Sequence, residues 1–406
     1  MQISIHHMVQ TLSRAVDLVG VTDVYHGRRV GIISVEVGRR MGLAAPRLRQ
    51  VFEAGLLHDC GVSSTVEHTL ITGEENGVDF SSHCQRGAAA LSQFPPLASL
   101  SSIVLNHHTD WAALPAENLR AEEAAITSLV HLSDRVDALC SGHYRDESLL
   151  LHVDAIRSRI SAGRGRQFSP DVVDAFLAAS RPEAFWLLLD VAYIPQYMQD
   201  MEAASRPLVG TLDELRAFAR LIATIVDGKS HFTAQHSIGV ARLARLLGEL
   251  RGFEGEHLAK IEIAALLHDI GKLQVPDAVL ESPRALSPAE RAIIKKHSFA
   301  TYQILRQVGG FDELARWAAL HHECPSGKGY PFRLTAEEIC EEAAIIKVSD
   351  VYQALAQKRP YRGPMPPQAI LAELKRMAAA REVDETLVSL VAQHLEACHE
   401  AAVGEG

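Results

Sequence analysis

Apolar residues recur at steps of three and four along most of the chain, the spacing that lines one face of a helix. After His236 they fall at Val240, Leu243, Leu247 and Leu250, and after His26 at Val30, Ile33 and Val37. Each of these histidines therefore opens a buried stripe. Helix starts are marked as clearly. Ser287-Pro288-Ala289-Glu290, Thr335 with Glu338, and Thr211 with Glu214 read as capping boxes, in which a hydroxyl and a carboxylate satisfy the first free amides of a helix. The first of them also puts proline in the first helical position, and Ser169-Pro170 reads as a further start. No stretch of useful length alternates apolar with polar residues as a half-buried strand would. The pattern predicts an all-α protein.

The stripes belong to an internal repeat. AGLLHDCG at 54–61 matches AALLHDIG at 264–271, and VHLSDRVDAL at 130–139 resembles IKVSDVYQAL at 346–355. Aligned on these segments, His26 pairs with His236, His58-Asp59 with His268-Asp269, His83 with His297, His107-His108 with His321-His322, and Asp134 with Asp350. The separations agree: 32 residues between the first two nodes in both copies, and 24 between the third and fourth. Two copies of one helical-bundle domain are expected in tandem, the first over 1–195 and the second over 211–406. Between them a linker is expected at 196–210, with Pro195 and Pro207 near its edges.

A length of 406 residues exceeds one ordinary core and agrees with two domains. The formal charge is −10, and no basic run interrupts it. Long DNA or RNA, which needs Lys and Arg to displace counterions, is excluded as a partner on that ground; a dinucleotide, with two phosphates, asks for only a few cations. Six cysteines at 60, 84, 140, 324, 340 and 398 form no CxxC pair, which fits a reducing compartment. Residues 1–20 lack a basic-then-apolar leader. The longest apolar run, Phe185 to Ile194, is broken by Asp190 and is too short to cross a bilayer. A soluble, cytoplasmic protein without membrane contact is expected.

The feature that stands out is 20 histidines, concentrated at the nodes of the repeat. Imidazole nitrogen and carboxylate oxygen together suit divalent manganese, iron or zinc. A histidine followed directly by aspartate cannot put both side chains on one helix face, yet the pair serves two metals if His268 binds one ion and the Asp269 carboxylate bridges both. His236, His297, His321, His322 and Asp350 would complete the set from separate helices. Two such ions ionise a bridging water and clamp a phosphate, the route to in-line attack on phosphorus.

The series His236, His268-Asp269, His297, His321-His322 and Asp350 resembles that of the HD-domain metal-dependent phosphohydrolases. His268-Asp269-Ile270-Gly271-Lys272, and His321-His322-Glu323 followed by Gly329-Tyr330-Pro331, resemble the HD-GYP branch in particular, over roughly residues 225–395. The resemblance implies hydrolysis of cyclic di-GMP or 3′,3′-cyclic GMP-AMP to a linear dinucleotide with iron or manganese as cofactor. It implies that Lys272 contacts the phosphate near the metals, that Arg359 and Arg362 grip the second phosphate, and that the Gly329-Tyr330-Pro331 loop lies by the site and docks protein partners. A homodimer is a further partner expectation. Where the family often has Arg-Trp-Asp after His-His-Glu, this chain has Cys324-Pro325-Ser326, which leaves the choice of base open. Trinuclear members carry a glutamate four residues before the first histidine; Phe232 stands there, so two metals are expected rather than three.

The first copy keeps His26, His58, Asp59, His83, His107, His108 and Asp134, a candidate second metal site. It has Val62 in place of Lys272, Thr109-Asp110-Trp111 after its histidine pair, and no two-arginine segment. A regulatory or structural role follows. Two rival readings are another HD-type nucleotide phosphohydrolase and a non-catalytic signalling scaffold.

Overall fold

The computed structural model describes residues 3–19, 25–62, 64, 67, 81–114, 119–204, 209–229, 236–357 and 363–404. These are helical nearly throughout. The sheet among them is a two-residue antiparallel pair, Ile3–Ser4 with Val209–Gly210. The chain divides into two compact units: Leu12–Pro207, and Leu208–Gly406 together with Met1–Thr11.

The division falls after Pro207, within the expected linker, and two local features bear on the expected bounds. Residues 3–11 group with the C-terminal unit, where the Ile3–Ser4 backbone bonds to Val209–Gly210. The stretch expected as a linker begins inside a helix, Ile194–Ala203, which Pro195 opens from the first turn. Tyr197 and Met198 on it are buried, and the Tyr197 hydroxyl donates to Glu36 at 2.7 Å.

The apolar stripes do what their spacing predicts. His26–Arg40 packs on Ala45–Leu57 and Ala121–Cys140; His236–Leu250 packs on Gly255–Leu267 and Glu341–Ala356. Val30, Ile33 and Val37 in one helix, and Val240, Leu243 and Leu247 in the other, are fully buried. Each such side chain contributes about 1.5–3 kcal/mol. Both helices are anchored at their first turn by a carboxylate ten residues upstream: Asp17 accepts from the Gly27 amide and Asp227 from the Ser237 amide, each at 3.0 Å. Negative charge there also complements the helix dipole.

Capping boxes form at Thr211 and Ser287, heading the helices Leu212–Asp227 and Pro288–Leu305. At Thr335 the amide and the hydroxyl both donate to the Glu338 carboxylate at 2.9 Å, half of a capping box, but close only a turn. The amides of Glu338 and Ile339 both return to the Thr335 carbonyl, and the next helix opens at Glu341. No helix among the described residues is long and apolar enough to cross a membrane. All six cysteines are free.

Candidate metal centres

In the C-terminal unit the histidines and aspartates converge from six elements. His236 opens the helix His236–Leu250, and His268 caps Gly255–Leu267. Asp269 heads the 3-10 turn Ile270–Gln274, His297 lies within Pro288–Leu305, His321 and His322 form the turn after Asp312–Ala319, and Asp350 lies within Glu341–Ala356. The turn at Gly271 is packed so tightly on the His297 backbone that a Cβ would come to 2.1 Å from its carbonyl oxygen; Gly61 meets the His83 carbonyl at 2.0 Å in the first copy. The glycine of the HDxG segment is thus what lets Asp269 and His297 approach.

Four of the five imidazoles are held by their outer nitrogens. His268 Nδ1 donates to the Ala265 carbonyl at 2.7 Å, and His297 Nδ1 to Ile294 and His321 Nδ1 to Ala318, both at 2.6 Å. His236 Nδ1 donates to Gln353 Oε1 at 2.5 Å. With the proton committed to Nδ1 in these four, their Nε2 lone pairs face inward, the tautomer that binds metal. The Asp269 carboxylate divides between them. Its Oδ2 faces His268 Nε2 at 3.2 Å and His236 Nε2 at 3.7 Å; its Oδ1 faces His297 Nε2 at 3.6 Å and His321 Nε2 at 3.8 Å. Asp350 Oδ1 joins the first half, 3.2 Å from His236 Nε2. His322 joins the second, in one cluster with His297 and His321.

This donor set fits a metal. His236 Nε2, His268 Nε2 and Asp269 Oδ1 are buried without any hydrogen-bond partner. A buried unpaired polar atom costs about 1–3 kcal/mol. The Nε2 atoms of His297 and His321 lie 3.2 Å apart, lone pair toward lone pair, an arrangement that a cation between them turns from repulsive to favourable. Burial alone would push the Asp269 and Asp350 carboxyls up; His268 and Lys272 beside Asp269, and His236 beside Asp350, outweigh it and hold both well below the usual carboxylate range. Burial pushes His297 down to about 4 and keeps His321 and His322 low as well. Ionised Asp269 and Asp350 beside neutral His297, His321 and His322 match the protonation state that metal binding needs, whereas Asp269 outweighs burial and raises His268, which would give up its proton on binding.

Lys272 projects from the Ile270–Gln274 turn onto Asp269 Oδ2 as an ion pair. The Gly329-Tyr330-Pro331 loop lies against the second half of the site, with the Tyr330 ring 4.7 Å from that of His322. Glu323, missed by sequence reasoning as a working residue, fixes that loop. Its buried carboxylate accepts from the amides of Phe332 (2.6 Å), Arg333 (3.1 Å) and Leu334 (3.0 Å). Gly329 passes so close that a Cβ would meet the Glu323 Cα at 2.5 Å. The loop also lines a cleft of about 600 Å³, together with Lys295, Lys296, Phe299, Lys328 and Arg333. Four cations around one cleft in a chain of net charge −10 were not foreseen, because they are scattered over 39 positions. Gln353 was also missed, although a signal existed: it stands three residues after Asp350, one helical turn on. Arg359 and Arg362, expected at the second phosphate, and Phe232 lie outside the described residues.

The N-terminal unit repeats the cage. His58 Nδ1 donates to the Gly55 carbonyl and His107 Nδ1 to Val104, again three residues back. Asp59 Oδ2 faces His58 Nε2 at 3.4 Å and His26 Nε2 at 3.8 Å, and its Oδ1 faces the Nε2 atoms of His83 (3.4 Å) and His107 (3.5 Å). Asp134 Oδ1 lies 3.4 Å from His26 Nε2, and Asp134 Oδ2 lies 3.7 Å from His108 Nδ1. Both Asp59 oxygens are buried without a hydrogen-bond partner, so this set fits a metal too. The surroundings differ. His26 Nδ1 faces the Asp137 carboxylate, itself held by Arg29 at 2.6 Å, where the second copy has neutral Gln353. Arg135 bonds to Asp134 Oδ2 at 2.9 Å. Val62, in the place of Lys272, is a buried core residue.

Models of the HD domain match residues 24–142 and again residues 220–387. The chain is 31% identical to a 3′3′-cGAMP-specific phosphodiesterase of Vibrio cholerae (phosphodiesterase 1), over 97% of this chain and 92% of that protein. It is 29% identical to phosphodiesterase 3 of the same name and organism, over 89% and 88%. A cyclic di-GMP phosphodiesterase response regulator of Xanthomonas campestris is 37% identical over 40% of this chain and 42% of its own. Among solved structures, that of a cyclic GMP-AMP-specific phosphodiesterase of V. cholerae (V-cGAP3) matches with a TM-score of 0.66 at 24% identity, covering 98% of both chains. That match shows the tandem helical fold.

Proposed function

The chain belongs to the HD-GYP branch of the HD-domain metal-dependent phosphohydrolases, with two HD domains in tandem, and on that premise we propose that its C-terminal copy hydrolyses a cyclic dinucleotide, 3′,3′-cyclic GMP-AMP in preference to cyclic di-GMP. The relatives aligned over nearly the whole chain carry the first substrate in their names, whereas the cyclic di-GMP phosphodiesterase of X. campestris aligns over less than half of it. The observation that carries the reading is the divided Asp269 carboxylate, with one oxygen toward His236 and His268 and the other toward His297 and His321. Two ions of the iron or manganese class fit that division, the first held by His236, His268, Asp269 and Asp350, the second by Asp269, His297, His321 and His322. When bound, they supply Lewis acidity and ionise a water at neutral pH.

The remaining work falls to the chain. Ala265, Ile294, Ala318 and Gln353 fix the imidazoles before substrate arrives, so no reorganisation is needed in the transition state. Lys272, on the rim beside Asp269, places an ammonium where charge builds on the phosphoryl oxygens. Tyr330, seated over His322 by the Glu323-held loop, offers an aromatic wall, and the Lys295, Lys328 and Arg333 cleft draws the second phosphate. Water adds to phosphorus, the ribose oxygen leaves with a proton, and a linear dinucleotide is released. The first copy has no counterpart of Lys272 or of the Gly-Tyr-Pro loop, and its Asp134 is already paired with Arg135. It does not turn over this substrate.

Chromatographic analysis of products, with metal content measured on the same protein, tests the reading. Conversion of cyclic GMP-AMP to a linear dinucleotide, faster than that of cyclic di-GMP and of nucleoside monophosphates, is expected. Metal-loaded protein that leaves both cyclic dinucleotides intact would turn the assignment toward a signalling scaffold.

A further inference from the structure

We propose that the N-terminal copy holds a divalent ion of the thiolate-accepting, zinc-like class, with Cys84 as a ligand beside His83, His107 and Asp59. In the repeat, Cys84 stands where the second copy has Ser298, so the thiol is peculiar to the first. Cys84 Sγ lies 3.5 Å from His83 Nε2, and the Nε2 atoms of His83 and His107 are 3.4 Å apart. Asp59 Oδ1 lies 3.4 Å from the first nitrogen and 3.5 Å from the second.

These are four of the six edges of a distorted tetrahedron, with Cys84 Sγ also 3.7 Å from Nδ1 of the His107 ring. Ligands 2.0–2.3 Å from a tetrahedral zinc stand about 3.3–3.7 Å from one another. The corresponding half of the second copy spreads over 3.2–3.8 Å, and its fourth corner is the Ser298 hydroxyl, 3.3 Å from His297 Nε2. Sulfur in place of that oxygen shifts preference toward softer ions.

An independent observation points to a cation. Both oxygens of Asp59 are buried with no hydrogen-bond partner, and a buried carboxylate left unpaired is costly. Cys84 is itself buried at 3% exposure, away from reagents in solvent. Four protein ligands close the coordination shell, so no position stays open for a phosphate. The first copy is then a metal-stapled domain rather than a second hydrolase. This inference does not rest on what the C-terminal copy hydrolyses.

The test uses the full chain, stripped with chelator and reloaded with cobalt(II). A thiolate-to-cobalt charge-transfer band in the near ultraviolet requires a cobalt–sulfur bond, which His and Asp cannot supply. A band of the strength of one thiolate-bound cobalt per chain is expected, lost in Cys84→Ser and kept in Cys324→Ser and Asp269→Ala. Absence of the band in the parent protein, or its persistence in Cys84→Ser, would overturn the proposal. If circular dichroism shows that Cys84→Ser does not fold, X-ray absorption of the zinc-loaded parent decides. A sulfur neighbour at about 2.3 Å supports the site, and a shell of nitrogen and oxygen alone refutes it.

Discussion

The two halves of the chain carry the same seven residues in the same cage, yet only one half has the parts around it that chemistry needs. In both, an HD pair is pressed against a third histidine by a glycine with no room for a Cβ, and backbone carbonyls three residues back set the tautomers. Those are properties of the helical framework. Lys272, the Glu323-pinned Tyr330 loop and the cationic cleft belong to the second half, whereas Val62, Asp137 and Arg135 occupy the corresponding surroundings in the first. On the proposed reading, metal binding and catalysis separate between the two copies, and the residues that would separate them are few.

The sharpest way to break the comparison is to remove the bridging carboxylate from each cage. Asp269→Ala should abolish hydrolysis, a loss beyond the roughly 100-fold that an outer-shell change can bring. Asp59→Ala should keep most activity, and circular dichroism should show both variants helical. Equal losses would mean that both cages are catalytic. Next in size is Lys272→Val, which copies the first site into the second. We expect kcat to fall about 10²–10³-fold with metal content unchanged; normal turnover would remove Lys272 from the mechanism. Gln353→Ala should weaken metal binding about 10–100-fold in chelator competition, while Gln353→Asp, the first copy's residue at that position, should retain it. An affinity indifferent to both changes would deny Gln353 its orienting role. The smallest effect belongs to the cleft. Lys295→Ala and Lys328→Ala should each raise KM by about fivefold at low salt and leave kcat alone, the scale of a solvent-exposed charge contact.

Much of this was legible from spacing alone. Equal intervals of 32 and 24 residues placed the histidines at matching nodes, and stripes such as Val240, Leu243 and Leu247 told which faces would be buried. Local chemistry was a weaker guide where tertiary bonds decide. Thr335 and Glu338 satisfy each other as a capping pair does, but the chain turns away before a helix forms. Pro195 looked like a domain edge and instead starts a helix that Tyr197 ties to Glu36. The outer partners escaped notice for a related reason. Gln353 and Glu323 act through the orientation of a neighbour, and a glutamine or a glutamate in sequence carries no mark of whether it faces solvent or three backbone amides. The Lys295, Lys328 and Arg333 cleft is assembled from a helix and a loop that only folding brings together.

The central claim is that Asp269 stands between two cations in the C-terminal cage. An anomalous-difference diffraction map, recorded at the absorption edge of the bound metal from crystals of the full chain, addresses it directly. The expected result is a pair of peaks flanking that carboxylate, one among His236, His268 and Asp350 and the other among His297, His321 and His322. A map with no density there, or with a lone peak out of reach of Asp269, would contradict it.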